Sequence, residues 1–459
     1  MACLSAAVLA AFDVELTSGF DPRPGAPGVG DPLYPGLGNG GYDVSHYTLE
    51  LHVDVDANRI AGSARIDAVA TQDLSSFNLD FRGLEVTEVS VNGRPAGHAR
   101  DGFELTITPA VPVRSGRTFR TAVAYEGRPS HQPASETSPL QGWIRYDAGI
   151  VAVGEPWGAS YWYPVNEHPS DKATYTFRIT VPDPYEAVTN GELVETVDHG
   201  DGGTYVWESG HAMASYLTVL AIARFDEVAV PHSGVPVVNW IQRSVDAAVR
   251  RHLDRTAAMI RFFSDVFGPY PFDSTGAIVI DGPLPFLALE TQPRPVYEAR
   301  TLASRGDWIV AHELAHQWFG NLLTPASWRD IWLNEGFATY AEWLWQDHKL
   351  GRGLPDSVLF DRFWDVVWRP DLGPPGDPDP ADPFALTVYW RGAMALHALR
   401  EEIGDDAFFQ VLREYVARHA GGNVTTADFV AVAEEIAERD LDDLFDAWLY
   451  AERTPPPPD

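Results

Sequence analysis

The sequence predicts a multidomain α+β protein, with a β-rich first half and a mainly helical second half. Three observations carry this reading: the length of the chain, the period-two alternation of apolar residues in its first half, and their helical spacing afterwards. At 459 residues the chain exceeds what one hydrophobic core usually organises. Its hydrophobic content of 45%, with 15 Trp, 17 Tyr and 22 Phe, is that of a globular protein, and charged residues at 21% are too few for a disordered one.

Residues 1–41 read as an irregular arm, because "GFDPRPGAPGVGDPLYPGLGNGG" is too dense in Gly and Pro for a regular element. From Tyr42 onward, alternation recurs: Tyr47, Leu49, Leu51, Val53 and Val55 in one run, Ala64, Ile66 and Ala68 in the next, then Tyr175, Phe177, Ile179 and Val181. One face of each run is apolar, as half-buried strands require, so residues 42–228 form the predicted β-rich domain. From about Asp246 to Phe267 the spacing turns helical (Val249, Leu253, Ile260, Phe263, Val266) until "GPYPF" stops it. Residues 229–454 therefore form the helical domain. Within it "PDLGPPGDPDPADP" is a loop, since its prolines forbid ladders and helices alike, and residues 455–459 are a Pro-rich tail.

The formal charge of −32 repels phosphate backbones and sets nucleic acid aside as a partner, because such binding depends on clustered cations displacing counterions. Lys172 and Lys349 are the only lysines. With Cys3 as the only cysteine there is no internal disulfide and no thiolate metal site, so any metal must use His and carboxylate. No apolar run is long enough to span a bilayer. The opening "MACLSAAVLAAF" resembles the apolar middle of a signal peptide but has no Lys or Arg before it. Whether Met1 is the true start, and whether the protein is cytoplasmic or secreted, stays open.

The chemistry concentrates in "WIVAHELAHQWFG", residues 308–320. Positions four apart share a helix face, so His312 and His316 can aim two imidazoles at one ion while Glu313, rotated about 100°, sits beside it. Two imidazoles leave zinc short of ligands, since hydrolytic sites take a third protein ligand and keep a place for water. "WRDIWLNEGFATYAEWLW" offers Glu335, on a helix whose apolar face (Leu333, Phe337, Tyr340, Leu344) needs a partner. The competing reading is an accidental His-Glu-x-x-His with its side chains satisfied in a core. A Glu placed 19 positions after His316 weighs against accident.

"HELAHQW" followed by the Glu of "WLNEGFA" resembles the aminopeptidase N family of zinc metallopeptidases, the gluzincins that include leukotriene A4 hydrolase. The resemblance covers about residues 42–454. It implies a saddle-like β domain followed by a thermolysin-like catalytic domain, and one zinc ion per chain held by His312, His316 and Glu335, with Glu313 as general base. "VYWRGAMALHAL" is similar to the family's Tyr-x-Lys-Gly segment, which implies Tyr389 as donor to the oxyanion, with Arg391 in place of the usual lysine. "PFLALETQPRPVY" stands where the family has Gly-Ala-Met-Glu-Asn. Ala288 and Glu290 survive there and Leu289 replaces methionine, implying that Glu290 binds the substrate's amino terminus and that Ala288 and Leu289 line the substrate site. "GEPWGASYWYP" puts Glu155 at the family's second amino-terminus contact. Asp330 and Asn334 are candidates to orient ligands, or equally to cap helices.

The implied function is a zinc-dependent aminopeptidase that cuts the N-terminal peptide bond of peptides with a free amino terminus, preferring uncharged or bulky first residues. The alternatives are a gluzincin with endopeptidase or epoxide hydrolase activity, or a non-catalytic scaffold on the same fold. Larger relatives carry a C-terminal helical-repeat domain. The chain stops soon after "LFDAWLYAERTP", so the expectation is that this domain is absent, that the site is more open, and that no dedicated clamp holds the substrate's carboxylate. Oligomeric state is left open.

Overall fold

The computed structural model describes residues 20–133, 140–230, 234–282, 287–351, 372–453 and 455. Cys3, the opening apolar run, and residues 456–459 of the tail lie outside the described residues.

In the first half, the alternating runs become neighbouring strands of an eight-stranded sheet. Tyr42–Asp54 pairs antiparallel with Arg59–Ala70 and parallel with Lys172–Pro182, which pairs in turn with Gly202–Ala214. Tyr47, Leu49, Leu51 and Val53 are buried on one face, as are Tyr175, Phe177, Ile179 and Val181. The Tyr47 and Tyr175 rings stack across the strand pair with centroids 4.9 Å apart, a cross-strand contact of the kind that stabilises sheets. A second, five-stranded sheet includes Leu140–Tyr146, Gly149–Val153 and Val219–Ala223. The last two strands are buried at every position, and Gly149–Val153 delivers the chain into the turn that carries Glu155.

The second half opens on a five-stranded mixed sheet in the order Phe225–Val230, Val237–Gln242, Thr275–Ile280, Val296–Glu298, Ala288–Leu289. Phe225–Val230 crosses residue 228 and pairs antiparallel with Val237–Gln242, so a division at 228 passes through a strand of this sheet. The helical spacing from Asp246 corresponds to a short helix Ala247–Arg250, a 3₁₀ segment Arg251–Arg255 and a helix Thr256–Phe267. Gly268, at φ +106°, ends it. Three further helices carry or face the candidate site: Asp307–Ala315, Trp332–Leu350 and Leu386–Ile403. Helices Asp405–His419 and Thr426–Ala437 pack behind them. No helix among the described residues is long and apolar enough to cross a membrane.

The two halves meet through specific polar contacts. Tyr216 donates its hydroxyl to the Gly320 carbonyl at 3.0 Å. Lys172 Nζ donates to the carbonyls of Asn321 and Leu322 at 3.1 and 3.0 Å, on the loop that follows His316. Desolvation brings the Lys172 ammonium down to about 8, because carbonyls return less than the water they replace. A lysine lowered on folding holds fewer protons folded than unfolded between about pH 8 and its ordinary value, so its burial cost is full below pH 8 and fades as pH rises. Relative to Lys172→Met, the wild-type protein should gain roughly 1–3 kcal/mol of unfolding free energy between pH 7.5 and 10. Urea denaturation of both proteins across that range checks this, and a pH-independent difference would show the ammonium to be solvated.

Candidate active site

The helix Asp307–Ala315 is apolar around most of its circumference and is buried from Ile309 through Ala315, as an all-round hydrophobic helix must be. His312 and Glu313 therefore lie inside the protein. His316 caps the helix with near-helical dihedrals, and its N–H bonds to the His312 carbonyl at 3.3 Å. This keeps the four-residue spacing on one face, with ring centroids 4.7 Å apart. Glu335 sits in the first turn of Trp332–Leu350. Its Oε2 lies 3.2 Å from His312 Nε2 and 3.5 Å from His316 Nε2, and the three ligand atoms lie within 4.8 Å of one another.

The outer nitrogens of both rings are occupied. His312 Nδ1 meets Glu342 Oε1 at 2.7 Å, and His316 Nδ1 meets the Phe319 carbonyl at 3.0 Å. Such partners fix ring orientation and leave each Nε2 facing inward toward Glu335, where a metal ion would take its lone pair. Glu342 escaped the sequence reading, although it lies seven residues beyond Glu335 on the same helix and so on the same face. Gln317 and Asn321 escaped it as well. Their side-chain amides donate to the Glu290 carbonyl at 3.2 and 2.8 Å and anchor the segment that brings Glu290 in.

Three more carboxyls crowd this centre. Ligand atoms of Glu290, Glu313 and His316 form one group within 4.8 Å, and those of Glu155, Glu290 and Glu335 form another. Burial raises Glu313 to about 8, against the pull of the two imidazoles. It also raises Glu155, reinforced by Glu290, and Glu290 itself. Glu335 is the exception: burial opposes its ionisation, but His316 and His312 together bring it below the usual range. One oxygen each of Glu155, Glu290 and Glu313 is buried without a hydrogen-bond partner. Unpaired buried carboxylates are costly, so the pocket is built for cations. Two imidazoles whose outer nitrogens are already bonded, with a carboxylate facing their inner nitrogens, are a fitting donor set for zinc.

Tyr389 comes from Leu386–Ile403, and its ring lies nearly parallel to that of His312, 6.1 Å between centroids at 19°. Burial, then the charges of Glu335 and Glu155, hold its phenol well above the ordinary value, so it remains a hydrogen-bond donor. It reaches the cluster because two helices nearly touch. A Cβ placed on Gly336 would stand 3.0 Å from the Gly392 carbonyl carbon and 3.1 Å from its Cα. Glu335 and Tyr389 flank that crossing.

Ala288 and Leu289 form the half-buried edge strand beside Val296–Glu298, leading directly into Glu290. Arg391 keeps its charge but turns away from the cluster, donating to the carbonyls of Trp448, Ala447 and Ala451 at 2.7, 3.2 and 2.6 Å. Asp330 accepts from the N–H and hydroxyl of Thr426 at 3.1 and 2.7 Å and so acts at the start of another helix. Asn334 donates to the Tyr216 hydroxyl at 3.2 Å.

Glu342→Gln should weaken divalent metal binding by about 10 to 100-fold, because an amide oxygen polarises the His312 N–H less than a carboxylate does. Competition against a calibrated chelator measures this. Unaltered affinity would mean that Glu342 leaves the ring unaffected.

Comparison with known proteins agrees with this geometry. The Peptidase M1 N-terminal domain matches residues 43–217, and the Peptidase family M1 domain matches residues 251–367 and 373–448. Glutamyl aminopeptidase from Sus scrofa is 25% identical over 453 residues, 88% of this chain and 46% of that protein. Aminopeptidase N from Streptomyces lividans is 29% identical over 321 residues, 62% of this chain and 36% of that protein. The chain thus spans about half the length, or less, of these curated relatives. A crystal structure of an M1 zinc metallopeptidase from Deinococcus radiodurans, a mutant bound to a Tyr-Ser-Ala substrate, superposes with a TM-score of 0.85 at 30% identity, covering 94% of this chain and all of the other. With a β-rich domain ahead of a helical one and two imidazoles converging with a carboxylate between them, the chain belongs to the M1 family of zinc metallopeptidases.

Proposed function

We propose that the protein is a zinc-dependent aminopeptidase that removes amino-terminal residues from peptides, with a β-rich domain from residue 42 and a catalytic domain to residue 454 that meet near residue 228, where the strand Phe225–Val230 goes with the catalytic domain's sheet. The observation that carries this reading is the approach of Glu155 and Glu290 to Glu335, their carboxyl oxygens within 4.8 Å of one another. A free α-ammonium can form charge-assisted hydrogen bonds with two such carboxylates, whereas an internal peptide nitrogen brings no charge to offset their burial.

His312, His316 and Glu335 hold the metal, which when bound supplies Lewis acidity to polarise the scissile carbonyl and to make water acidic enough to attack at neutral pH. Glu313, one residue off the ligand face and with one unpaired oxygen, would be held ionised by the charge of a bound dication against the burial that otherwise raises it, and so would accept the proton of the attacking water and return it to the departing amine. Tyr389 donates its hydroxyl to the carbonyl oxygen as that oxygen gains negative charge. Glu155 and Glu290 bind the ammonium and so set the distance from amino terminus to scissile bond at one residue. Ala288 and Leu289, on the edge strand, present backbone and apolar surface to the first residues of the substrate. Leu289 favours uncharged or bulky side chains there, and the surrounding carboxylates disfavour acidic ones.

Glu313→Gln should retain one zinc per chain by elemental analysis while kcat falls about 10² to 10⁴-fold, and residual activity near wild type would mean another base. An amino-acid arylamide and its N-acetyl derivative test the direction of cleavage: hydrolysis of the free amine, abolished by chelation and restored by zinc, should exceed that of the blocked form by roughly 30-fold or more. Equal turnover of the two would remove the aminopeptidase reading and leave an endopeptidase.

A further inference from the structure

Every side chain assigned above to metal, base, oxyanion or amino terminus comes from the second half of the chain except Glu155. Its carboxyl reaches the cluster only while the β-rich half stays in register with the helical half. The Gly/Pro-rich arm ahead of Tyr42 provides a bond to both. Asp31, almost fully buried, accepts from the N–H groups of Leu33 and Tyr34 through Oδ1 at 2.8 and 3.0 Å. Its Oδ2 accepts from the N–H of Trp328 at 2.8 Å and the hydroxyl of Ser327 at 3.0 Å, and it faces His168 Nε2 at 3.1 Å. His168 belongs to the β-rich half. Ser327 and Trp328 lie just ahead of the helix that carries Glu335.

The clamp fixes Tyr34 in turn. Its ring stands edge-on to Trp157, 4.6 Å between centroids at 88°, and meets Trp328 at 6.4 Å and 73°. Trp157 and Glu155 share one turn, closed by the Gly158 N–H on the Gly154 carbonyl at 2.6 Å. The Tyr34 hydroxyl is buried without a hydrogen-bond partner, so the ring, not the hydroxyl, makes the contact.

We propose that Asp31 and Tyr34 are positioning residues for recognition of the substrate's amino terminus: the arm is a strap that locks the two halves together and, through Trp157, holds Glu155 against the zinc cluster. This rests on the aminopeptidase reading, and specifically on Glu155 as an ammonium ligand. The strap acts on the position of one carboxylate, so its loss should weaken binding of the free amine more than it slows chemistry.

A double-mutant cycle on the full-length zinc enzyme tests this, using an arylamide with a free amine, its N-acetyl form, and zinc content. Glu155→Gln should raise KM for the free amine by roughly tenfold or more and narrow the preference over the acetylated form. Tyr34→Ala should shift both in the same direction by about threefold or more, with kcat and zinc content within about twofold of wild type. In the Glu155→Gln background it should add almost nothing, because both changes act on one interaction. Tyr34→Phe should behave as wild type. If Tyr34→Ala does not fold, Tyr34→Leu takes its place in the cycle. Independent, multiplying effects of the two substitutions would overturn the strap, as would equal losses of kcat and zinc. A changed preference in Glu155→Gln with none in Tyr34→Ala overturns the strap alone, whereas no change in Glu155→Gln overturns the assignment of Glu155 and the strap with it.

Discussion

Four carboxyls and two imidazoles share one buried pocket, and the charge balance of that pocket governs the rest of the structure. Carboxylates this close repel one another and resist ionisation away from water. Glu335 escapes the penalty through the two imidazoles, but Glu155, Glu290 and Glu313 keep an unpaired buried oxygen each. The buried carboxyls lack the positive charge that would offset them, so holding these side chains together falls to the surrounding fold.

That holding is done by backbone and by neutral polar groups. The outer imidazole nitrogens are tied to Glu342 and to the Phe319 carbonyl. The segment bearing Glu290 is gripped by the amides of Gln317 and Asn321. Two helices approach closely at Gly336 and Gly392, where a Cβ on either residue would stand 3.0 to 3.1 Å from the facing backbone and make it give way. The interface between the two halves uses the same means: a lysine on carbonyls, a tyrosine hydroxyl on a carbonyl, and the Asp31 clamp. Each bond is modest once exchange with water is counted. Their effect is to preorganise the pocket, which matters more for chemistry than for net stability.

Motifs that depend on local periodicity were legible in the chain itself. His312, Glu313 and His316 fall into place from helix geometry alone, and the strands of the first half follow from alternation. Glu335 was reachable because its helix shows an apolar face that needs a partner. Other residues carried a signal too weak to read. Glu342 looks like any glutamate on an amphipathic helix, and only its bond to His312 distinguishes it. Asp330 was open between orienting a ligand and capping a helix, and its bonds to Thr426 settle that it serves a helix start. Arg391 kept the charge of the lysine it replaces, yet its guanidinium is spent on the carbonyls of Trp448, Ala447 and Ala451.

The amino-acid sequence by itself determined the chemistry on offer and the order of elements, because ligand spacing, alternation and turn residues act over a few neighbouring positions, where backbone geometry is nearly universal. Tertiary structure alone decided which distant groups meet: Glu155 with Glu290 across the two halves, Tyr389 over His312, and a glycine-rich arm wedged against Trp157 and Trp328. Contacts between residues far apart in the chain depend on packing against surfaces the local pattern does not encode. A one-residue change in register would leave every motif intact and scatter the pocket.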